Sequence, residues 1–474
     1  MYHRNTMPRA TASQTAEQAF SRQFERDFMD SSSQHDLLPS VRHLSQRYRI
    51  SPVTVTRGLK RLVQAGRIVT KSGVGTFVAP TPHIPRALDT SWQSLALGAR
   101  AVQGEETQML LRMPVADVIG LSSGYPDERL QPHALLSKAA SHALRRPDAW
   151  TRSPAAGLEP LRVWFAKELS PDFSASDVLI APGGQSAVAI CLRALVPPSG
   201  NLILETPTYF GALAVARSAG FALTPVPMDS SGVRPDWLEA AFRSSGSRVA
   251  YLQPNHHNPT GITLAFERRK ALLEVAAKYN AFLIEDDYAH DFTLIGAKPR
   301  PLILDDTDGR VIYIRSLTKS SAPSLRVAAI IARGPALERL RAQLAIGEMF
   351  TPQMLQLTAL ELIGSSSHAR HLKLLRRTLL TRRDALLHAL ETHGFTAPSI
   401  PNGGFGLWQP LPSDDLEFAA RALQRGVQIS SGSAWFPAEK NGDYTRLSFA
   451  ASDEGQLLEA VRRLAQVRDE LARG

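Results

Sequence analysis

The residues best suited to chemistry lie in short loops that each follow an apolar, β-branched run. After Val311-Ile312-Tyr313-Ile314 comes Arg315-Ser316-Leu317-Thr318-Lys319, continuing to Pro323-Ser324-Leu325-Arg326. A lysine enclosed at a strand end can lose its proton and form a Schiff base, and Ser316 and Arg326 flank it as phosphate donors. After Val178-Leu179-Ile180-Ala181 comes Pro182-Gly183-Gly184-Gln185-Ser186, directly opening a helical stretch. Glycines there let a phosphate reach unpaired backbone amides at the positive end of a helix dipole. Asn255-His256-His257-Asn258-Pro259-Thr260-Gly261 follows a third run, and Glu285-Asp286-Asp287-Tyr288 ends a fourth. An aspartate facing a pyridine nitrogen keeps it protonated as an electron sink, while Asn and Tyr can hydrogen-bond a phenolic oxygen. Singly, these are a surface lysine, glycine and proline turns and an acidic turn. Their weight comes from occurring together.

A second group lies near the N-terminus. Thr54, Thr56, Arg57, Lys60 and Arg61 share the expected exposed side of one helix, with donors suited to phosphates and to guanine edges in a major groove. Residues 38–78 hold Arg42, Arg47, Arg49, Arg57, Lys60, Arg61, Arg67 and Lys71 and no acid, against a formal charge of +10 for all 474 residues. The excess is concentrated in a small module.

The elements that must position these residues follow from periodicity and punctuation. Phe20, Phe24 and Phe28 form one apolar stripe on a helix. A second helix carries Val41, Leu44 and Tyr48. A third opens with Ser51 as N-cap and Pro52 at its first position, keeps Val55, Leu59, Leu62 and Val63 at helical spacing, and ends at Gly66. Arg67-Ile68-Val69-Thr70 and Thr76-Phe77-Val78 then read as a hairpin with a basic, glycine-flexible tip. A basic run alone is usually a solvated face, but cap, proline, turn and hairpin in this order argue for a winged reader. Leu38-Pro39-Ser40-Val41-Arg42-His43-Leu44, residues 51–66 and Gly73-Val74-Gly75-Thr76-Phe77-Val78 resemble the winged helix-turn-helix of GntR-type regulators. By that resemblance Arg42, Thr54, Arg57, Lys71, Gly75 and Thr76 meet double-stranded operator DNA. Gly58 departs from the family's usual alanine and is expected to loosen the recognition helix.

From about Val115 onward, apolar runs that also include Leu202-Ile203-Leu204, Val249-Ala250-Tyr251-Leu252 and Phe282-Leu283-Ile284 alternate with amphipathic stretches such as 186–195 and 266–279. This predicts a mostly parallel sheet covered by helices, with sites at the C-terminal ends of strands. Neither a dinucleotide fingerprint nor a GxxxxGK[ST] or GxSxG motif is present, which removes support for nucleotide or serine hydrolysis. The loops as a set resemble fold-type I pyridoxal-phosphate enzymes of the aminotransferase class. The resemblance implies pyridoxal 5'-phosphate as cofactor, carried by Lys319 as a Schiff base, with Asp286 at the pyridine nitrogen and Asn258 and Tyr288 at the ring hydroxyl. It further implies Gly184, Gln185, Ser316 and Arg326 around the phosphate, Tyr209 stacked on the ring, and Arg446 of Tyr444-Thr445-Arg446-Leu447-Ser448-Phe449 clamping an effector carboxylate. Arg152 and Ala328 stand where the class commonly has a tyrosine and a glycine. Weak or no transamination is therefore expected.

The expected organisation is a winged helix-turn-helix (α+β) over 12–80, a linker over 81–114 marked by Pro80, Pro82 and Pro85, and an α/β aminotransferase-like domain over 115–474 with a C-terminal α+β subdomain from about 350. Such a fusion resembles the MocR subfamily of bacterial transcription regulators. That resemblance implies a head-to-tail homodimer that binds operator DNA and senses pyridoxal phosphate or a small amino compound. The competing expectation is a working aminotransferase with an accessory DNA module. The lone Cys191 excludes an internal disulfide and a thiolate zinc cluster, and His256-His257 lacks a third ligand at zinc spacing, so no metal is expected. No run approaches the roughly 18 apolar residues of a membrane helix, and no apolar leader follows Met1. A cytoplasmic protein is expected.

Overall fold

A computed structural model describes residues 12–29, 36–79, 89–97, 117–395 and 399–473. The chain divides into two units, residues 1–100 and 101–474. In the first, helix α1 (Ala12–Phe24) continues into a π turn, Glu25–Met29, followed by α2 (Val41–Tyr48) and α3 (Pro52–Gln64). Ser51 caps α3 by accepting from the Thr54 amide at 3.1 Å, with Pro52 at the start of the helix. Strands β1 (Ile68–Lys71) and β2 (Gly75–Val78) pair antiparallel, Ile68 opposite Val78 and Lys71 opposite Gly75. Phe20, Phe24, Leu44, Val55, Leu59, Leu62, Ile68 and Val78 form the core, whereas Val63 stays exposed.

The expected loosening at Gly58 is replaced by a close approach. A Cβ at this position would lie 2.4 Å from Cδ1 of Phe20, so the missing methyl lets α1 press its ring directly onto α3. Of the proline-bearing linker, 81–88 and 98–114 lie outside the described residues, and a short helix spans Ser91–Leu97.

The second unit is built on an eight-stranded sheet in the order β4-β11-β10-β9-β8-β5-β6-β7. Its strands are β4 (Val178–Ala181), β5 (Asn201–Thr206), β6 (Ala222–Asp229), β7 (Gly232–Val233), β8 (Val249–Leu252), β9 (Phe282–Asp286), β10 (Val311–Ser316) and β11 (Ala328–Ile331). The pairs from β10 through β9, β8 and β5 to β6 are parallel. β11 runs antiparallel between β10 and β4, and β7 antiparallel to β6, so the other six strands share one direction: the sheet is mostly parallel, as the sequence alternation predicted, with β11 an antiparallel insertion it did not predict. Successive residues feed opposite faces: Val311 and Tyr313 join one apolar cluster, Ile312 and Ile314 the other. Helices cover both faces, and the second cluster holds most of helix Gly184–Leu195.

Helix Ser366–Thr392 leads into a smaller subdomain containing β12 (Gly406–Pro410), β13 (Val427–Gln428) and β14 (Tyr444–Ser448), with helices Asp415–Gln424 and Glu454–Leu471 packed on it. Strand β3 (Ile119–Gly120) pairs parallel with β13, so the first described segment of this unit closes the C-terminal subdomain. Among the described residues no helix is long and apolar enough to cross a membrane.

Candidate functional site

The C-terminal edge of the sheet gathers the loops that the sequence singled out. Gly183, just before helix Gly184–Leu195, has φ 94° and ψ 167°, a conformation open essentially to glycine. A Cβ there would lie 2.5 Å from Cζ of Arg326, while one on Gly184 would meet Cβ of Ser316 at 3.5 Å. Arg326 and Ser316 thus converge on a helix end whose first amides have no intrahelical acceptor. Gln185 accepts from the Tyr209 hydroxyl at 2.8 Å and donates to the Gly211 carbonyl at 2.9 Å, which fixes the tyrosine beside the same turn.

Asp286 ends β9, and its Oδ2 accepts from the Tyr251 hydroxyl at 2.5 Å and from Nε2 of Gln253 at 3.0 Å. Burial pushes its carboxyl up to about 6, against the pull of these donors. Lys319 follows β10. Its Nζ donates to the Gly124 carbonyl at 2.7 Å and lies 3.6 Å from the centroid of the Tyr125 ring. Burial, together with the guanidinium groups of Arg446 and Arg326, lowers its amine to about 7. A large share of an amine poised there is unprotonated near neutrality, as a nucleophile requires.

Arg446 rises from β14, buried to 4% exposure. It donates to Oδ1 of Asn258 at 3.1 Å and to the Ser122 carbonyl at 2.7 Å, and its Nε is buried without a partner. Burial lowers its guanidinium to about 10. The Tyr288 hydroxyl donates to the His256 carbonyl at 2.9 Å rather than to a neighbouring side chain of the site. His256 contacts Thr293 and His257 contacts Thr260, each at 2.9 Å. The acidic trio Asp414, Asp415 and Asp443 is bridged by Nζ of Lys440 at 3.2, 2.6 and 2.6 Å.

This donor set fits a phosphorylated pyridine aldehyde. A side-chain-free turn faces a guanidinium and a hydroxyl, a buried carboxylate ends one strand and the amine follows its parallel neighbour, and a buried guanidinium nitrogen has no hydrogen-bond partner. Residues 116–464 match the family Aminotransferase class I and II. The chain belongs to that family. Residues 31–78 of this aminotransferase-family chain match the bacterial regulatory proteins of the gntR family. Over 455 residues it is 29% identical to the uncharacterized HTH-type transcriptional regulator YdfD of Bacillus subtilis, covering 92% of each chain. It is 27% identical over 402 residues to the vitamin B6 salvage pathway transcriptional repressor PtsJ of Salmonella typhimurium, covering 84% of this chain and 86% of PtsJ. The crystal structure of LysN, the alpha-aminoadipate aminotransferase of Thermus thermophilus complexed with N-(5'-phosphopyridoxyl)-L-leucine, superposes with TM-score 0.75 at 28% identity, over 80% of this chain and 99% of that one. A GntR helix-turn-helix is therefore fused to a class I/II aminotransferase domain, a pairing consistent with the MocR subfamily. The fold and its relatives imply pyridoxal phosphate as cofactor.

In the first unit, Arg42, Arg57, Lys60, Arg61 and Lys71 are exposed, and Thr54, Gly75 and Thr76 are half-buried. The Thr54 hydroxyl lies 2.8 Å from that of Ser51, so it is engaged by the cap as well as placed on the helix face. Arg57 pairs with Glu17 of α1 at 3.2 Å, and Lys71 lies 5.1 Å from the Phe77 ring centroid.

Sequence reasoning missed Tyr251, Gln253, Ser122, Gly124 and Tyr125. A tyrosine inside a fully buried strand must find a partner for its hydroxyl, and that signal was present in the Val249–Leu252 run. The segment 122–125 gave none, because Ser122 and Gly124 act through backbone carbonyls and the Tyr125 ring meets Lys319 only in the folded chain.

Proposed function

We propose that this protein is a cytoplasmic DNA-binding transcription regulator whose aminotransferase domain senses pyridoxal phosphate or an amino compound, acting as a head-to-tail homodimer. The observation that carries the reading is one chain holding both an exposed basic reader helix and the buried donor set around Lys319. Arg42, Thr54, Arg57, Lys71, Gly75 and Thr76 are assigned to DNA. Gly184, Gln185, Ser316 and Arg326 are assigned to phosphate, Asp286 to the ring nitrogen, Asn258 and Tyr288 to the ring hydroxyl, and Tyr209 to the ring face.

When bound, pyridoxal phosphate supplies an aldehyde that exchanges amines and a ring that withdraws electrons. Lys319 supplies the unprotonated amine that captures it. Asp286 holds a proton at the ring nitrogen. Arg446 offers two parallel donors to a carboxylate, which must first displace the Ser122 carbonyl and the Asn258 side chain. That exchange gives an amino acid a differential contact with the segment 122–125 and with β14, which is what a ligand needs in order to shift a dimer between arrangements. DNA modules would then match or lose their half-site spacing.

The intact set of Lys319, Asp286 and Arg446 also favours a second reading, a working aminotransferase with an accessory DNA module. Both readings are tested together by measuring operator binding and transamination for the wild type and Lys319→Ala, with and without cofactor and a panel of amino acids. Ligand-dependent operator affinity without turnover supports the sensor. Turnover at an ordinary rate of about 1 to 1000 per second with operator affinity indifferent to every ligand refutes it.

A further inference from the structure

The strands beneath the site hold a second layer of polar contacts that none of the assigned roles uses. Tyr251 lies in β8 at 0% exposure, on the sheet face that also carries Ile284 and Ile314. Its only polar atom donates to Oδ2 of Asp286 at 2.5 Å. Gln253, two residues on and 1% exposed, donates to the same oxygen at 3.0 Å. Its orientation is not free. Oε1 of Gln253 accepts from the Asn258 amide at 3.3 Å, so the amide nitrogen must face Asp286, and the Gln253 amide is itself anchored to Oε2 of Glu205 at 2.8 Å. Neither donor uses Oδ1.

We propose that Tyr251 and Gln253 are positioning residues for the cofactor's pyridine nitrogen, filling Oδ2 of Asp286 from inside the sheet and leaving Oδ1 as the oxygen offered to the ring. This deepens the reading of Asp286 as the ring-nitrogen partner and rests on it. The chemistry is one of fixed roles. Tyr251 is buried and faces a carboxylate, both of which hold its phenol protonated, so it acts only as a donor. Two donors on one oxygen favour the carboxylate over the neutral acid, because bonds to the charged form are the stronger, and so help keep the charge for the ring. The groups that face Asp286 from elsewhere are Lys319 after β10, the neighbouring Asp287, Tyr288 in its own loop, Cys191 of helix Gly184–Leu195, and Tyr209. Burial is the strongest influence and raises the carboxyl, the Tyr251 and Gln253 donors are the largest pull against it, and the opposed charges of Asp287 and Lys319 count for less.

The test uses full-length protein loaded with pyridoxal phosphate, following the absorbance of the lysine-bound cofactor from pH 5 to 9 in wild type, Tyr251→Phe, Gln253→Leu and Asp286→Asn, with thermal unfolding as a control for folding. Removing a donor raises the carboxylate's proton affinity, so the neutral acid, which cannot hold a protonated ring nitrogen, takes over at higher pH, and it frees Oδ2 so that the group is no longer fixed in place. The expected result for Tyr251→Phe is a spectral midpoint about one pH unit higher and cofactor affinity about tenfold lower, a size set by the loss of one charge-assisted hydrogen bond. Gln253→Leu is expected to move both in the same direction, and carries the test if Tyr251→Phe does not fold. An unchanged profile and affinity in folded Tyr251→Phe and Gln253→Leu, with Asp286→Asn altered, overturns this proposal alone. An unchanged profile in Asp286→Asn as well overturns the reading of the site beneath it.

Discussion

Replacing Gly183 by alanine separates the backbone's contribution to the cofactor cradle from that of its side chains. The residue sits at φ 94° and ψ 167°, where an L side chain costs about 1 to 3 kcal/mol of strain. Independently, the new methyl would lie 2.5 Å from Cζ of Arg326 and 2.7 Å from its Nη2. Those atoms end a flexible side chain, so the guanidinium can retreat, but it then leaves the helix end where a phosphate would meet it. Losing one charge-assisted hydrogen bond of about 1.5 to 3 kcal/mol corresponds to cofactor affinity lower by roughly ten- to a hundredfold. The two costs report differently: strain lowers the thermal midpoint without cofactor, and the displaced arginine lowers affinity. The assay is a pyridoxal-phosphate titration followed by absorbance, beside calorimetry of the unloaded protein. Gly184→Ala is the internal control, since its methyl would meet Ser316 at an ordinary 3.5 Å. Gly183→Ala with affinity within twofold of wild type and an unchanged thermal midpoint would refute the cradle.

Arg57→Ala is expected to lower operator affinity by about 1 to 3 kcal/mol and to relax sequence preference, measured by fluorescence anisotropy on operator and scrambled duplexes. Lys71→Ala should instead weaken binding uniformly and flatten the salt dependence by about one ion. Because burial and neighbouring guanidinium groups lower the Lys319 amine to about 7, protonation dominates below that pH and the free amine above it. Cofactor capture in stopped flow should therefore rise about tenfold per pH unit up to about 7 and level off beyond; a flat profile from pH 6 to 8 contradicts this. Gly58→Ala sets a helix-propensity gain of about 1 kcal/mol against an overpacking cost of about 1 to 3 kcal/mol. Calorimetry should show the first unit destabilised, and the sign should reverse in a Phe20→Leu background.

Much of this arrangement was legible in the sequence because the β-branched runs are short, fully apolar and followed at once by their functional loops. β4, β8 and the start of β10 begin where those runs begin, and Ser51 and Pro52 mark the start of α3. What was hidden depends on tertiary proximity. An apolar strand of four residues such as Ala328–Ile331 carries no mark of direction, so the antiparallel insertion of β11 could not be read. Gly58 looked like a weak helix residue because its partner, Phe20, lies thirty-eight positions away. Arg446 was singled out by its motif, but its hold on the Ser122 carbonyl joins residues 324 apart in sequence and involves no side chain on one side.

The antiparallel return of β11 gives the Lys319 loop a property separate from its side chains. Ser316 is paired with Ala328, and the Leu317 amide donates to the Val327 carbonyl at 3.0 Å, so residues 318–326 close a loop pinned at both ends, with the amine near one end and the Arg326 guanidinium at the other. A one-residue slip of β11 would send Ala328 and Ile330 to the wrong side of the sheet, so a change in loop length must be taken up within 318–326, between the amine and the guanidinium. The loop's length is therefore tied to the site. A side chain at an outer position, such as the exposed Ser324, can change without touching the site, whereas a change of length would move the amine relative to the guanidinium.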